Sequence, residues 1–560
     1  MAAHPDTIRR QDQQAQAAVP STIYKDDDEK ASSSDEVNMD KKVAVSTPST
    51  GGDNAVPTDA REEDLQKHSN IFAVLASGCA LISDGYQNNL LTMANVLFTK
   101  RYGSAIYNSE VSTRVSNALL VGAVLGQVVV GIICDRIGRK SAIVLTTTLL
   151  VVSATFATAS APLHGSTEIL FWWLTVARGG VGVGVGGEYP ASSTSASEAA
   201  NERYGRKKRG TVFILVTNVV LSLGGPLAVS VFLIVLSAAR YANTNSPTDM
   251  HRLDIIWRVC FGIGALLPLI VFYFRWKIIN SKVYRRGAIR HNVPYWLAVK
   301  RYWPRLIGTC GVWFLYDIVA FSSSIGSGTI ISTVVKDSTL KNTAEYQLLL
   351  GAIALPGAVL GAFALPYFGS KYLLMTGFAG YLVIGLSIGL AWDKLITNAP
   401  AFVVLYGLLA SFGNFGPGSV CGLVAAESYP TSLRGTFYGL SAAIGKTGAA
   451  VGVQTFRPIQ DSLGKKWIFI IAAIVGVLGI IIAYFFVPDT TKLDFETEDE
   501  AWRQYLLANG WNHEMGDGSS VGPSHLASDM PRDEKTLGRD KGLLQDEEDA
   551  SASSETGKGH

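Results

Sequence analysis

The chain consists of long apolar blocks that are separated by short polar connections. Each block is about 20 residues long, which is the length that crosses the hydrocarbon core of a bilayer as a helix. A water-soluble protein of this size would show amphipathic helices and alternating strands instead, because one face of each element must meet water. The pattern therefore predicts an all-α membrane protein with spans at residues 70–98, 112–134, 139–161, 168–192, 209–239, 254–276, 305–333, 345–368, 371–392, 400–426, 435–456 and 467–488.

Both ends of the chain lack this apolar pattern. Residues 1–67 are rich in Gln, Ser, Asp and Lys, and residues 489–560 contain acidic stretches such as 545–549. Segments of this composition cannot bury enough apolar surface to fold, so we predict two disordered tails, with or without a regulatory role. No signal peptide precedes the apolar blocks, and the first span is expected to act as its own insertion signal.

The charges are distributed unevenly, although the formal net charge is only +2. The longest connection between spans, residues 277–304, is basic and contains no Asp or Glu, and basic residues also follow the second and fourth spans. Basic connections remain on the cytoplasmic side of a membrane, so we expect these connections and both termini to be cytoplasmic. The linker at 277–304 then separates a first six-helix half at residues 68–276 from a second at residues 305–488.

The two halves also share a local repeat. In the first half, Glu198 is followed by Arg209 and the dipeptide Gly-Thr, where the fifth span opens. In the second half, Glu427 is followed by Arg434 and the same dipeptide, where the eleventh span opens. Matching strings at matching positions are typical of transporters whose two halves pack around a site near the middle of the membrane.

Several kinds of chemistry are not indicated by the sequence. The five cysteines lie in or beside apolar blocks without a CxxC pair, so we interpret them as small packing residues. The chain contains no His-rich cluster, no GxSxG turn and no paired carboxylates at a workable spacing. We therefore expect no metal, no cofactor and no enzymatic activity. The basic runs are explained by topology, so nucleic-acid binding is not expected either.

The connection after the second span carries a recognisable motif. Residues 135–140 read Asp-Arg-Ile-Gly-Arg-Lys. This string closely resembles the cytoplasmic loop signature of the major facilitator superfamily, which implies twelve helices in two pseudo-symmetric six-helix halves. Asp135 can accept charge-assisted hydrogen bonds from a neighbouring helix end and so latch one conformation. We assign Asp135, Arg136, Arg139 and Arg178 to this latch, and a plain topology signal is the alternative.

The fourth span combines a glycine run with two ionisable residues. The run at 179–187 contains six glycines, which allow helices to approach closely in a membrane bundle. Arg178 precedes the run and Glu188 follows it. An ionisable group at the centre of a span costs about 2.5–3.5 kcal/mol on insertion scales, so such residues are usually functional. An internal ion pair that holds helices together is the alternative for Arg178.

Three strings narrow the resemblance to the phosphate:proton symporter family of the superfamily. They are GGEYP at 186–190, WFLYD at 313–317 and GLSAAIGKTGA at 439–449. The resemblance covers residues 70–488 and does not include either tail. It implies proton coupling by Asp84, Glu188 and Asp317, and substrate binding by Tyr189, Trp313, Asp317 and Lys446. Apolar surroundings favour the protonated form of a carboxyl group, which suits acids that must carry protons across the midplane.

Three departures from that family concern the substrate. Where members of that family have a Tyr in the seventh span, this chain has Phe321, and where they have an Asn that contacts phosphate in the tenth span, it has Gly418. Their Gln in the fifth span has no clear counterpart in the stretch around Asn218. A buried anion without donors is costly, and a Gly in place of Asn enlarges the site. These changes favour a bulkier substrate that keeps an anionic group. In this respect the chain is similar to the fungal glycerophosphodiester permeases.

The resemblance implies a proton-coupled importer of a glycerophosphodiester such as glycerophosphoinositol or glycerophosphocholine. An inorganic phosphate symporter is the nearest alternative, and a nutrient sensor that retains a transporter fold is an alternative of another class. A sugar or efflux carrier is disfavoured by the strings in the fourth and eleventh spans. The expected partners are the anionic substrate, protons and the lipid bilayer. We expect a monomeric multi-pass protein of the plasma membrane.

Overall fold

A computed structural model of the chain describes residues 81–244, 246–276, 293–335 and 339–511, together with Ile289. The predicted tail at 1–67, the start of the first span and residues 512–560 lie outside these ranges. Most of the predicted linker at 277–304 lies outside them as well.

The described residues form helices joined by short connections, and no strand occurs among them. The first six long helices are α1 (residues 81–102, from the first described residue), α2 (Ser109–Arg136), α3 (Arg139–Thr158), α4 (Thr167–Glu202), α5 (Lys208–Ala238) and α6 (Pro247–Trp276). The next six are α7 (Tyr295–Val334), α8 and α9 (the two arms of Leu340–Leu390), α10 (Ala399–Glu427), α11 (Arg434–Leu463) and α12 (Trp467–Phe486). A shorter helix, α13 (Phe495–Ala508), follows.

Twelve of these helices are long enough to cross a membrane. Leu340–Leu390 contains 51 residues, about 75 Å of helix, which is more than twice the thickness of a bilayer core. It bends at Gly369, whose positive φ of 74° favours glycine, and so counts as the two spans α8 and α9. Within the described ranges, the prediction of twelve spanning helices is confirmed.

Glycines set the closest helix contacts. A Cβ atom at Gly126 of α2 would collide with the backbone carbonyl oxygen of Val183 in the glycine run of α4. A Cβ atom at Gly131, one turn and a half further along α2, would lie 2.7 Å from the carbonyl oxygen of Gly435 in α11. Since α2 belongs to the first half and α11 to the second, the motif glycines allow contact both within a half and between the halves.

The structure corrects two boundaries of the predicted domains. Helix α7 begins at Tyr295, inside the segment predicted as linker, and buries Tyr302 there. Residues 489–511 belong to the predicted tail, yet they include a short turn at Thr490–Lys492 and the helix α13. The tail prediction rested on average polarity, which hides a helix with only one apolar face.

Helix α13 is held by that apolar face. Phe495, Trp502 and Leu506 recur at intervals of seven and four residues and are buried, while Glu496 and Glu500 are exposed. The ring centroid of Trp502 lies 5.7 Å from that of Tyr302 at the start of α7. The Tyr302 hydroxyl donates a hydrogen bond to Glu498 at 2.9 Å, so the two corrected segments stabilise each other.

We expect the substitution Trp502→Ala to destabilise the protein, because truncating a buried Trp to Ala typically costs about 3–5 kcal/mol. Leu507→Ala is the matched control, since Leu507 lies on the same helix and is 54% exposed. The measurement is the thermal unfolding midpoint of the detergent-solubilised protein. Equal midpoints for the two variants would contradict the described packing of α13.

Candidate functional site

A cavity of about 220 Å³ lies between the two halves. Its wall is formed by residues of α1, α4 and α5 from the first half and of α7, α8, α9, α10 and α11 from the second. All four residues predicted to bind substrate, Tyr189, Trp313, Asp317 and Lys446, line this cavity. Helices that are far apart in the sequence therefore bring these side chains to one chamber.

An ion pair forms the charged centre of the cavity. The Lys446 ammonium nitrogen lies 2.8 Å from an oxygen of Asp317, and both side chains are at most 2% exposed. The same ammonium lies 3.9 Å from the ring centroid of Phe321 and 5.1 Å from that of Tyr189. Removing either partner would leave a buried charge uncompensated, which is strongly unfavourable. The arrangement can exchange one anionic partner of Lys446 for another.

Trp313 stands one helical turn before Asp317 on α7 and so faces the same cavity. Its ring packs edge-on against Tyr438 of α11, with 5.5 Å between ring centroids. The Tyr438 hydroxyl in turn donates a hydrogen bond to Ser193 of α4 at 2.9 Å. A chain of contacts therefore joins the cavity wall in the second half to the fourth helix of the first.

Asp84 and Glu188 are fully buried and lie behind the cavity wall rather than in it. Asp84 directly precedes the lining residue Gly85, and the Tyr189 hydroxyl lies close enough to interact electrostatically with both Asp84 and Asp317. Glu188 accepts a hydrogen bond of 3.3 Å from Thr147 of α3. Of the three acids predicted to carry protons, the structure thus places only Asp317 in direct contact with the chamber.

The predicted latch residues are not a single group in the structure. Arg178 is buried inside the first half, where its guanidinium donates to the side-chain oxygen of Gln87 at 3.3 Å and to its carbonyl oxygen at 3.1 Å. Arg136 is exposed, and its guanidinium lies 5.7 Å from the ring of Tyr295. Asp135 and Arg139, in contrast, are buried together.

Asp135 and Arg139 belong to what we call the inter-half ion cluster, which consists of Asp135, Arg139, Glu198 and Arg434. Asp135 accepts hydrogen bonds from Arg139 at 2.8 Å and from the backbone N–H groups of Gly435 and Thr436 at 2.9 and 2.6 Å. Those backbone groups open α11, where unpaired N–H groups and the helix dipole favour an anion. Glu198 accepts from Arg139 at 2.9 Å and from Arg434 at 3.2 Å.

The sequence repeat appears in space as a reciprocal exchange. Glu198 of the first half pairs with Arg434 of the second, and Glu427 of the second half pairs with Arg209 of the first at 2.6 Å. The repeat was visible in the sequence, but the cross-pairing was not, because matching strings do not say which half each acid contacts. The exchange joins the two halves through two buried ion pairs.

Polar residues of the cavity wall were also missed by sequence reasoning. They are Asn88, Asn89, Thr92, Asn218, Ser222, Ser323, Ser324, Gln347 and Asn414. The available signal was the presence of amide and hydroxyl side chains inside apolar blocks, but a helix can satisfy many such groups locally. Only the packing of five helices shows which of them face the chamber.

We expect Asp135→Asn to loosen the contact between the halves, because it removes a charge that accepts three hydrogen bonds in a buried cluster. Native Cys134 is fully buried beside this contact, so its modification by a maleimide should speed up, as measured by peptide mass spectrometry. Arg136→Gln is the matched control, since Arg136 is adjacent but exposed. Buried Cys260 of α6 serves as internal reference, and unchanged Cys134 labelling in Asp135→Asn would contradict the role of the cluster.

Comparison with known proteins agrees with this architecture. The profile of the Sugar (and other) transporter family matches residues 69–502. The Glycerophosphoinositol transporter 1 of Saccharomyces cerevisiae is 48% identical, covering 82% of this chain and 87% of the relative. The Glycerophosphoinositol permease 1 of Candida albicans is also 48% identical, covering 80% and 84%.

Among solved structures, the major facilitator proton:xylose symporter XylE superposes with a TM-score of 0.65, covering 78% of this chain and 99% of that one. At 16% identity this likeness concerns the fold alone. The fold agrees with the twelve-helix arrangement described above, and the family profile covers more than half of the chain. The chain therefore belongs to the Sugar (and other) transporter family of major facilitator proteins, and it is a transporter, not an enzyme.

Proposed function

We propose that this protein imports a glycerophosphodiester, such as glycerophosphoinositol or glycerophosphocholine, together with protons. The observation that carries the proposal is the buried Asp317–Lys446 ion pair in the wall of a central cavity between the halves. The names of two relatives at 48% identity, a glycerophosphoinositol transporter and a glycerophosphoinositol permease, support the choice of substrate. A sugar carries no charge, and it would not require a buried lysine.

The ion pair suggests how proton and substrate movements are coupled. With Asp317 ionised, its charge neutralises Lys446 and leaves little attraction for an anion. Protonation of Asp317 frees the lysine charge, which can then bind the phosphodiester through charge-assisted hydrogen bonds. One proton and one singly charged phosphodiester add no net charge to the cavity, so the loaded carrier avoids burying an unpaired charge.

Asp84 and Glu188 complete the proposed proton path. Both are fully buried next to the helix segments that carry the lining residues Gly85 and Tyr189. Tyr189, which interacts electrostatically with Asp84 and Asp317, is placed to connect the chamber to the acid behind it. In this proposal, Tyr189 and Trp313 also orient the substrate, since both present a polar atom beside a large ring.

The cavity wall favours a diester over inorganic phosphate. Gly418 lines the cavity, and a Cβ atom there would lie 2.7 Å from the Tyr316 hydroxyl, so an Asn side chain would not fit without displacing that ring. Phe321 offers its ring face to Lys446 and provides no hydroxyl group. A small tetrahedral anion beside Lys446 would therefore lack the donors that a Tyr at 321 and an Asn at 418 would supply, while a diester can reach polar groups elsewhere in the wall.

Alternating access would require the inter-half ion cluster to open and re-form. We propose Asp135 and Arg139, with Glu198 and Arg434, as the conformational latch on the cytoplasmic side. We further propose that the protein is a monomer of the plasma membrane with both termini in the cytoplasm. A sensor that uses the same fold without transport is the alternative, and it would signal in response to substrate without measurable flux.

We expect uptake of labelled glycerophosphoinositol in cells lacking their own carriers to be faster at pH 5 than at pH 7.5. The reason is that the inward proton gradient is larger at the lower external pH. A protonophore should abolish the difference, and an excess of inorganic phosphate should compete weakly. Uptake that changes with neither the external pH nor the protonophore would rule out proton coupling. Strong competition by inorganic phosphate would favour the inorganic phosphate symporter.

We expect Lys446→Met to reduce uptake by about tenfold or more, because a lost charge-assisted contact costs about 1.5–3 kcal/mol. Asp317→Asn should instead keep substrate binding and exchange across the membrane but lose the pH dependence of uptake, because it mimics the protonated acid. Lys341→Met is the control, since this lysine is 65% exposed at the start of α8. Full pH-dependent uptake by Asp317→Asn would argue against this acid as the coupling group.

A further inference from the structure

The central cavity has two chemically different ends. One end contains Asp317, Lys446 and the rings of Tyr189 and Phe321. Following α7 from Asp317, the next polar lining residue on the wall is reached at Ser323 and Ser324, about 10 Å further along the helix axis. Amide and hydroxyl side chains surround this second end, which we call the amide end; its members are Asn89, Thr92, Ser323, Ser324, Gln347 and Asn414.

Most polar groups of the amide end are already engaged with the protein. Asn89 donates to the carbonyl oxygen of Gly85 at 2.8 Å and accepts from Ser324 at 2.9 Å. Asn414 donates to the carbonyl oxygen of Ala354 at 3.0 Å. The Thr92 hydroxyl donates to the carbonyl oxygen of Ser324 at 3.4 Å. These bonds fix the shape of the wall and leave the named donors occupied.

Gln347 of α8 differs from these neighbours. Its side chain lines the cavity and is only 6% exposed, and its amide oxygen receives no hydrogen bond from any residue that the structure describes. A buried amide oxygen without a donor is unfavourable, so this oxygen is prepared for a ligand group that can donate a hydrogen bond to it. A hydroxyl group can donate such a bond, whereas a quaternary ammonium group has no N–H or O–H.

The charges and rings of the cavity point in the same direction. Asp317, the carboxylate that lines the cavity, is already paired with Lys446, and the rings of Phe321 and Tyr189 lie against that lysine. A quaternary ammonium group is usually bound by a cage of aromatic faces or by a carboxylate. The amide end offers no carboxylate among the described lining residues, and the Tyr406 hydroxyl there donates to the carbonyl oxygen of Ser323 at 2.6 Å. A group bearing several hydroxyls suits it better.

We propose that Gln347 binds a hydroxyl of the substrate's head group and thereby selects a polyol over a quaternary ammonium group. This inference rests on the proposed function, since it assumes that the phosphodiester occupies the Lys446 end. Gln347 lies in the same cavity wall, on α8, so a head group that extends from Lys446 into the cavity can contact it. Gln347 acts here as a specificity-determining residue for the transported diester.

The test compares labelled glycerophosphoinositol and glycerophosphocholine in the same cells at the same pH. Gln347→Met keeps the length of the side chain but removes both hydrogen-bonding groups. We expect this variant to raise the apparent KM for glycerophosphoinositol about tenfold, because it loses one hydrogen bond to the substrate. The apparent KM for glycerophosphocholine should not change. Leu349→Met, on the same helix but outside the cavity wall and 41% exposed, is the matched control and should change neither value.

A second variant distinguishes a change in substrate specificity from a loss of folded protein. Gln347→Glu places a carboxylate at the amide end and should improve uptake of glycerophosphocholine relative to glycerophosphoinositol, at equal surface expression. Equal losses for both diesters, or none for either, in Gln347→Met would overturn this inference and leave the proposed function intact. If the unmodified chain takes up neither diester, the proposed function fails and this inference fails with it.

Discussion

A charged side chain inside an apolar bundle must find a partner, and this requirement organises the whole transporter. Leaving one partner of a buried ion pair alone costs about 3–5 kcal/mol, a large part of the stability of a typical domain. Buried ion pairs of the described residues meet the requirement in two places: the contact between the halves, with the inter-half ion cluster and the Arg209–Glu427 pair, and the cavity, with the Asp317–Lys446 pair. Both places use acids and bases from helices that are far apart in the sequence.

The same helices connect the two places. Helix α11 carries Arg434 of the inter-half ion cluster and, twelve residues later, Lys446 of the cavity. Helix α4 carries Tyr189 in the cavity wall and Glu198 in the cluster. Since a helix moves largely as a rigid body, a change of pairing at one place shifts the other. This offers a physical route by which the cavity and the inter-half ion cluster can influence each other.

The segment after α12 packs against the ion pairs that join the two halves. Phe495 lies beneath the guanidinium groups of both Arg209 and Arg434, at 4.1 and 4.0 Å from its ring centroid. Arg209 also donates to the carbonyl oxygen of Leu493 at 2.7 Å. One aromatic ring thus covers both reciprocal ion pairs. Separating the two halves at the inter-half ion cluster must therefore disturb α13 as well as the ion pairs.

The amino-acid sequence was enough to predict the twelve spans, the family resemblance and four residues of the cavity, Tyr189, Trp313, Asp317 and Lys446. Apolar length and motif spacing are local properties, so they survive without coordinates. The packing of the helices was needed to show that Glu198 pairs with Arg434 and that Arg178 contacts Gln87 instead of the cluster. It was also needed to show that residues of the predicted tail form the helix α13. Those outcomes depend on which helix faces meet, and pairing across hundreds of residues leaves no mark on local composition.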